Sequence, residues 1–128
     1  MTDLKFSVKA FAQIDNLSDE IRNAIPKIIA ARRAAAERWA RELPDPVITS
    51  GHEEDINPTT GQLYHAEKSK HYIKNNPSGK GEAIDWRTRD WVEFWAEECR
   101  NVLGPEFVVV VHADHLHVQH GHKTLEVK

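Results

Sequence analysis

The chain is poor in cysteine and in long apolar runs, and neither sign of charge dominates it. A single cysteine, Cys99, excludes an internal disulfide framework and a zinc site built on paired cysteines. No apolar run reaches the roughly 18 residues that a membrane helix needs, and the first residues lack the basic-then-apolar pattern of a signal peptide. A net charge of −3 argues against a nucleic-acid partner, and a length of 128 residues suits a single domain over residues 1–128.

Histidine is the residue that the chain has in excess. It occurs 8 times, against 6 glycines and 6 prolines, and every histidine lies between His52 and His122. Imidazole groups bind metal ions and change charge near neutral pH. The bias therefore indicates metal or acid–base chemistry in the C-terminal part of the chain.

Hydrophobic periodicity predicts an α+β fold in which a small antiparallel sheet packs with an N-terminal and a central helix. The first helix is predicted to start after the cap Ser18 and to reach about Leu43, with a kink or a restart at Pro26. The second is predicted to follow the cap Thr88 and to end at Gly104-Pro105. Short strands are predicted at Leu4–Val8, Val47–Thr49, Glu82–Trp86, Phe107–Val111 and His115–Gln119. The first of these segments is alternatively an ordered arm.

Two histidine-bearing segments have the residues for a zinc site. One holds His71 and is followed by Asp85, and the other holds His115 and His117. A catalytic zinc ion takes three protein ligands and keeps one open position, so His71, Asp85 and one histidine of the second segment predict a His₂Asp site. Strand alternation places His115 and His117 on one face, where the second histidine is available as an acid, a base or an oxyanion partner.

The order of these residues resembles a known superfamily. Ser69-Lys70-His71, then Gly81-x-Ala83-x-Asp85, then Asp114-x-x-His117 resemble the motifs of the zinc DD-peptidase and Hedgehog-like superfamily. It includes peptidase family M15, with the VanX- and VanY-type D-Ala-D-Ala peptidases and the phage L-Ala-D-Glu endopeptidases. The resemblance covers roughly Val47 to Gln119, and it implies a Hedgehog/DD-peptidase-like fold.

The resemblance also implies a role for each matched residue. His71, Asp85 and His117 take the positions of the zinc ligands. Asp114 takes the position of the catalytic carboxylate, which accepts a proton from water and passes it to the leaving amine. His115 matches the first histidine of the H-x-H form and is implied to steady the oxyanion or to assist the proton transfer.

Three features depart from the family pattern. Nine residues, Tyr72–Lys80, separate His71 from the glycine, where the family has about two. The family often has a substrate-binding Arg after its Ser-Gly, where this chain has His52-Glu53, so Arg87 or a Lys of the insertion would have to supply that charge. The catalytic carboxylate is Asp here and Glu in many members.

The expected function is zinc-dependent hydrolysis of peptide bonds in bacterial peptidoglycan, as a carboxypeptidase or a phage-lysin-like endopeptidase. The expected protein is a monomer that needs Zn²⁺ and binds neither nucleic acid nor membrane. It is expected to stay in the cytoplasm of the producing cell and to reach the cell wall when the cell lyses. Two alternatives stay open. One is a non-catalytic zinc-binding domain on the same fold, and the other is a phage structural or assembly protein without metal.

The remaining histidines and aromatic residues receive structural predictions. His112, which follows a run of valines, is expected to be a partly buried structural residue. Cys99 is expected to be an inert core residue. The surface histidines are expected to be His52, His65, His120 and His122. The core tryptophans are expected to be Trp86, Trp91 and Trp95.

Overall fold

The computed structural model describes residues 6–9, 12–39, 46–53, 59–62, 65, 69–87, 92–113 and 115–121. Two helices pack with a five-stranded sheet, which confirms the α+β class. The helices are α1 (Asp19–Trp39) and α2 (Val92–Leu103), and the strands are β1 (Ser7–Val8), β2 (Val47–Ser50), β3 (Ala83–Arg87), β4 (Phe107–Val111) and β5 (His115–His120). Within these ranges, no helix has both the length and the apolar character needed to cross a membrane.

The sheet has the strand order β1-β2-β3-β5-β4. β1 runs parallel to β2, whereas β2, β3, β5 and β4 pair antiparallel. The expectation of a wholly antiparallel sheet is therefore wrong at the β1 edge. The reason is connectivity: the chain between β1 and β2 passes through α1, and such a crossover returns it in its original direction.

Helix α1 begins where the sequence predicts. The Ser18 hydroxyl accepts a hydrogen bond from the Ile21 amide (3.2 Å), and Asp19 and Glu20 place negative charge at the positive end of the helix. The helix is continuous through Pro26, so it does not restart there. Pro26 lacks an amide hydrogen, which leaves the Arg22 carbonyl without its usual helical donor but does not end the helix.

Helix α2 buries one face against α1 and the sheet. Trp95, Ala96, Cys99 and Leu103 are buried, and Trp95 Nε1 donates a hydrogen bond to the α1 carbonyl of Ile28 (3.0 Å). Gly104 follows at a φ of 88°, which is the left-handed conformation that ends many helices. The prediction of a stop at Gly104-Pro105 is confirmed. The predicted cap Thr88 lies outside the described residues.

The two faces of the central strands have different characters. Asp85 pairs with His117 and Arg87 with His115, so these side chains share one face of β3 and β5. The opposite face belongs to the hydrophobic core, which contains Ile84, Trp86, Leu116 and Val118 together with residues of both helices. The alternation of side chains thus places the polar site on one face of β3 and β5 and the hydrophobic core on the other face.

Candidate metal centre

Asp85 is the central residue of a buried group of histidines. His71 Nε2 lies 3.2 Å from Asp85 Oδ2, and His117 Nδ1 lies 2.9 Å from Asp85 Oδ1. His115 Nε2 is 3.8 Å from Oδ2. β3 presents the carboxylate, β5 presents His115 and His117, and the loop before β3 presents His71. The structure thus brings together His71, Asp85 and His117 from distant parts of the chain.

The hydrogen bonds of His71 fix which of its nitrogens carries the proton. Nδ1 lies 2.7 Å from the carbonyl oxygen of Gly51, which can only accept, so Nδ1 is protonated. Burial is the main cause that lowers the pKa of His71, and it favours the neutral ring with a lone pair on Nε2. That nitrogen is buried without a hydrogen-bond partner and faces the Asp85 carboxylate.

His117 is oriented in a corresponding way. The Gln119 side-chain amide donates to the Gly121 carbonyl (2.8 Å), which turns its oxygen Oε1 toward His117 Nε2 at 2.9 Å. Nε2 is therefore the donor toward Gln119, while Nδ1 lies 2.9 Å from Asp85 Oδ1. One nitrogen of each of two imidazoles thus faces the same carboxylate. His71 and Asp85 are members of a group that could hold a metal ion, and the third member of that group is His65 rather than His117.

The carboxylate of Asp85 is held in its ionised form. Burial alone would raise its pKa, but the hydrogen bond with His117 and the proximity of His71 outweigh burial and place the pKa well below its usual range. An anionic carboxylate beside imidazole nitrogens is a combination of ligands that transition metals accept. The site therefore carries negative charge where a cation would bind.

His65 belongs to this site, and the prediction of a surface histidine is wrong for it. Its side chain is 11% exposed and stacks on His71, with ring centroids 3.8 Å apart and an interplanar angle of 7°. The Tyr72 hydroxyl accepts from the His65 amide (2.6 Å) and donates to the His65 carbonyl (2.9 Å). No pattern in the sequence identifies His65, because loop residues lack a periodicity that would reveal their direction.

One ligand atom from each of His65, His71 and Asp85 lies within 4.8 Å of the other two, so these side chains form a group that could hold a metal ion. The stack limits how His65 takes part. The two rings are parallel and stacked, so their nitrogens do not point toward a common position in both ring planes. His65 would have to tilt to become a ligand, whereas His71 already points its lone pair at Asp85.

The insertion Tyr72–Lys80 is a closed loop that leaves His71 next to β3. It begins with the buried Tyr72 and a 3₁₀ turn over Ile73–Asn75. The Asn76 side-chain amide donates to the carbonyls of Lys70 and Lys80, each at 2.8 Å, and so ties the two ends of the loop together. The extra residues therefore extend away from the site without separating its two halves.

His52 and Glu53, at the position of the family's Arg, are both buried. His52 Nε2 accepts from the Asn16 amide (2.8 Å), so the prediction of a surface residue is wrong. Glu53 accepts from the Gln13 amide (3.1 Å). Burial raises the pKa of Glu53, but hydrogen bonds from His65, Ser50 and two backbone amides outweigh it and bring the pKa down to about 2.

The structure also decides several other residue predictions. His112 is exposed and stacks on His115 at 4.5 Å, so it is not partly buried, because it lies just past the end of β4. His120 is half-buried, with Nδ1 3.1 Å from Glu82 Oε1, so it is not a simple surface residue. The core positions of Trp86, Trp95 and Cys99 are confirmed. Asp114, Trp91 and His122 lie outside the described residues.

Comparison with known proteins adds no relative. The sequence matches no protein-family model, and the comparisons with curated proteins and with solved structures likewise found no match.

Proposed function

We propose that this chain is a zinc-dependent peptidase that hydrolyses peptide bonds of bacterial peptidoglycan, in the manner of the M15 peptidases that its motifs resemble. One observation carries the proposal. His71 Nε2 and His117 Nδ1 both face the Asp85 carboxylate, and the far nitrogen of each ring is engaged by an oxygen of the protein. Ligating histidines typically have such outer partners.

Zinc is the metal that the family resemblance implies, and this donor set is compatible with it. Two imidazoles and one carboxylate form a ligand set found in catalytic zinc sites, with a fourth position left for water or substrate. His71, Asp85 and His117 would hold the ion. When bound, zinc polarises a scissile carbonyl and lowers the pKa of its water toward about 7.

The other residues have roles in proton transfer and charge stabilisation. Asp114, directly before β5, accepts the proton of the attacking water and returns it to the leaving amine. His115, half-buried at the rim of the site, stabilises negative charge that develops on the carbonyl oxygen. Arg87 lies on the same sheet face, opposite His115, where it can receive a carboxylate of the peptide.

The test combines metal analysis with turnover of purified peptidoglycan. We expect about one zinc per chain, soluble wall peptides from the wild type, and no turnover by Asp85→Asn or Asp114→Ala. Glu82→Gln is the matched control, because it alters a buried carboxylate beside β3 that lies outside the group around Asp85. No stoichiometric zinc, together with melting that a chelator leaves unchanged, contradicts the proposal.

A non-catalytic zinc domain is the second candidate. It is favoured by the buried Glu53, which accepts backbone hydrogen bonds where the family often has a substrate-binding Arg. This candidate predicts stoichiometric zinc that raises the melting temperature. It also predicts that wild type and Asp114→Ala release equally little peptide from the wall.

A further inference from the structure

Gly51 lies between the metal centre and a buried carboxylate. Its carbonyl oxygen accepts the hydrogen bond from His71 Nδ1 (2.7 Å), and its amide donates to Glu53 Oε1. No side chain fits here, because a Cβ on residue 51 would lie 1.8 Å from the carbonyl oxygen of Gln13. The backbone of Gly51 is thus fixed from both sides, and one of its contacts is a ligand candidate.

Glu53 closes the turn that contains Gly51. Its Oε1 also accepts from the Gln13 amide (3.1 Å), and its Oε2 accepts from the Ser50 hydroxyl (2.5 Å). The His52 amide donates to the Gln13 carbonyl (2.8 Å), which joins the same two segments a second time. The Glu53 side chain is 1% exposed. Charge-assisted hydrogen bonds of this kind are stronger than those to a neutral acceptor.

We propose that Glu53 is a positioning residue of the metal centre. It holds the Gly51 carbonyl in place, and that carbonyl keeps the proton of His71 on Nδ1 and the lone pair of Nε2 directed at Asp85. The inference rests on the metal site of the proposed function and not on peptidase activity. Loss of an outer partner of a ligating histidine lowers metal affinity by about 10- to 100-fold.

Glu53→Gln is the informative variant, and Glu82→Gln is its matched control. Glu53→Gln keeps the size of the side chain, removes its charge and replaces one acceptor oxygen with an amide donor. Glu82 is also buried and accepts from two serine hydroxyls, of Ser18 (2.8 Å) and Ser78 (2.7 Å). Those contacts lead to the start of α1 and to the insertion, so Glu82→Gln reports the general cost of neutralising a buried carboxylate.

Two measurements separate positioning from general destabilisation. The ¹⁵N chemical shifts of the His71 ring, recorded on metal-free protein, report which nitrogen carries the proton. Competition with a chelator gives the Kd for zinc. For Glu53→Gln we expect His71 signals shifted away from the pure Nδ1–H form and a zinc Kd weakened about tenfold or more. For Glu82→Gln we expect wild-type His71 signals, whatever its melting temperature.

Wild-type His71 signals in a folded Glu53→Gln protein would overturn the inference, and so would equal changes in both variants. If Glu53→Gln does not fold, Ser50→Ala replaces it. That variant removes the bond to Oε2 together with the contact between the Ser50 hydroxyl and His65 Nε2 (3.0 Å). It is expected to shift the same signals by a smaller amount, and unchanged signals again overturn the inference. If the wild type binds no zinc, the proposed function fails, whereas the role of Glu53 is still decided by the metal-free spectra.

Discussion

The orientation of the His71 and His117 rings depends on groups that contact the ring nitrogens turned away from Asp85. The Gly51 carbonyl and the Gln119 side chain engage one nitrogen of each ring and leave the other to Asp85. At this scale the chemistry depends on a few atoms of neighbouring backbone. Gly51 is the clearest case, since the approach of the Gln13 carbonyl excludes any larger residue.

Replacement of Gly51 by alanine should be among the most destabilising single changes in this region. The added Cβ would meet a backbone oxygen and carbon of Gln13, which do not move like the end of a flexible side chain, so we expect a loss of about 3 kcal/mol or more. Gly79→Ala is the control: its φ is +70° but the space is open, so the expected loss is only about 1 kcal/mol. Urea unfolding gives both values, and equal losses would contradict this account.

Glu53 should make stability depend on acidity. Its pKa of about 2 in the folded chain is below the ordinary value of 4.5, so the ionised form stabilises the fold above pH 4.5 and this contribution is lost as the pH falls toward 2. The free energy of unfolding of the wild type, minus that of Glu53→Gln, should therefore fall by up to about 3 kcal/mol over this range. Urea titrations between pH 6 and 3 should detect about 2 kcal/mol of this fall, and the difference would stay constant if Glu53 were an ordinary carboxyl.

At the scale of elements, the start of α1 is attached to the strand that carries Asp85. The Ser18 amide donates to the Gly81 carbonyl (2.9 Å), and the Gly81 amide donates to Asn16 (2.9 Å). The Ser18 hydroxyl caps the helix and donates to Glu82. One residue thus serves the helix and the segment that enters β3.

Ser18→Ala should therefore cost more than a cap alone. A lost N-cap costs about 1 kcal/mol, and the buried Glu82 carboxylate also loses a donor, so we expect a total of about 2 kcal/mol or more. A double-mutant cycle with Glu82→Gln should show a coupling of at least about 0.5 kcal/mol. Ser78→Ala, which removes the other serine donor to Glu82 in an exposed position, should cost less. Strict additivity of Ser18→Ala and Glu82→Gln would refute the link.

At the scale of the whole molecule, the candidate ligands come from a loop and from two strands that are adjacent only in the folded chain. A metal that binds them therefore binds the native state, and its binding free energy adds to the free energy of unfolding. Cys99 offers a way to observe this coupling. It is fully buried in α2, and burial raises the pKa of its thiol to about 12, so the native protein should not react with thiol reagents.

Zinc should slow the labelling of Cys99. Labelling requires opening of the core, and zinc at 100 times its Kd should stabilise the folded state by about 2.7 kcal/mol, or about a hundredfold in the population of open molecules. The measurement is the rate of thiol modification with zinc and with a chelator. Asp85→Asn is the control and should show no zinc effect, while an unchanged wild-type rate would mean that zinc does not bind the native fold.

Much of the fold could be predicted because the relevant signals are local. The apolar periodicity of α1, the cap Ser18, the stop at Gly104 and the valines of β4 each act over a few residues. The convergence of His71, Asp85 and His117 was expected from their order and from alternation in β5. The parallel pairing of β1 with β2 could not be predicted in this way, because it depends on the crossover through α1 and no local pattern in the sequence indicates it.

The parts of the site that sequence could not supply are polar residues buried in loops. His52 and His65 are predicted as surface residues, and the sequence does not indicate that Glu53 is buried, because burial of such groups depends on partners elsewhere in the chain. Their partners are backbone amides near residues 13–16, the Ser50 hydroxyl and the Tyr72 hydroxyl. No sequence spacing connects these segments, so the buried polar residues around the candidate ligands can be identified only from the structure.

The position of β4 at one end of the sheet has a consequence for the protein in concentrated solution. Phe107–Val111 contains no charged residue and, in the described part of the chain, pairs with β5 alone. Uncharged, valine-rich edge segments are templates for strand addition between molecules. β4, an edge strand of the sheet, is therefore also a segment through which two molecules could pair. A charged residue in place of Val110 would oppose this self-association.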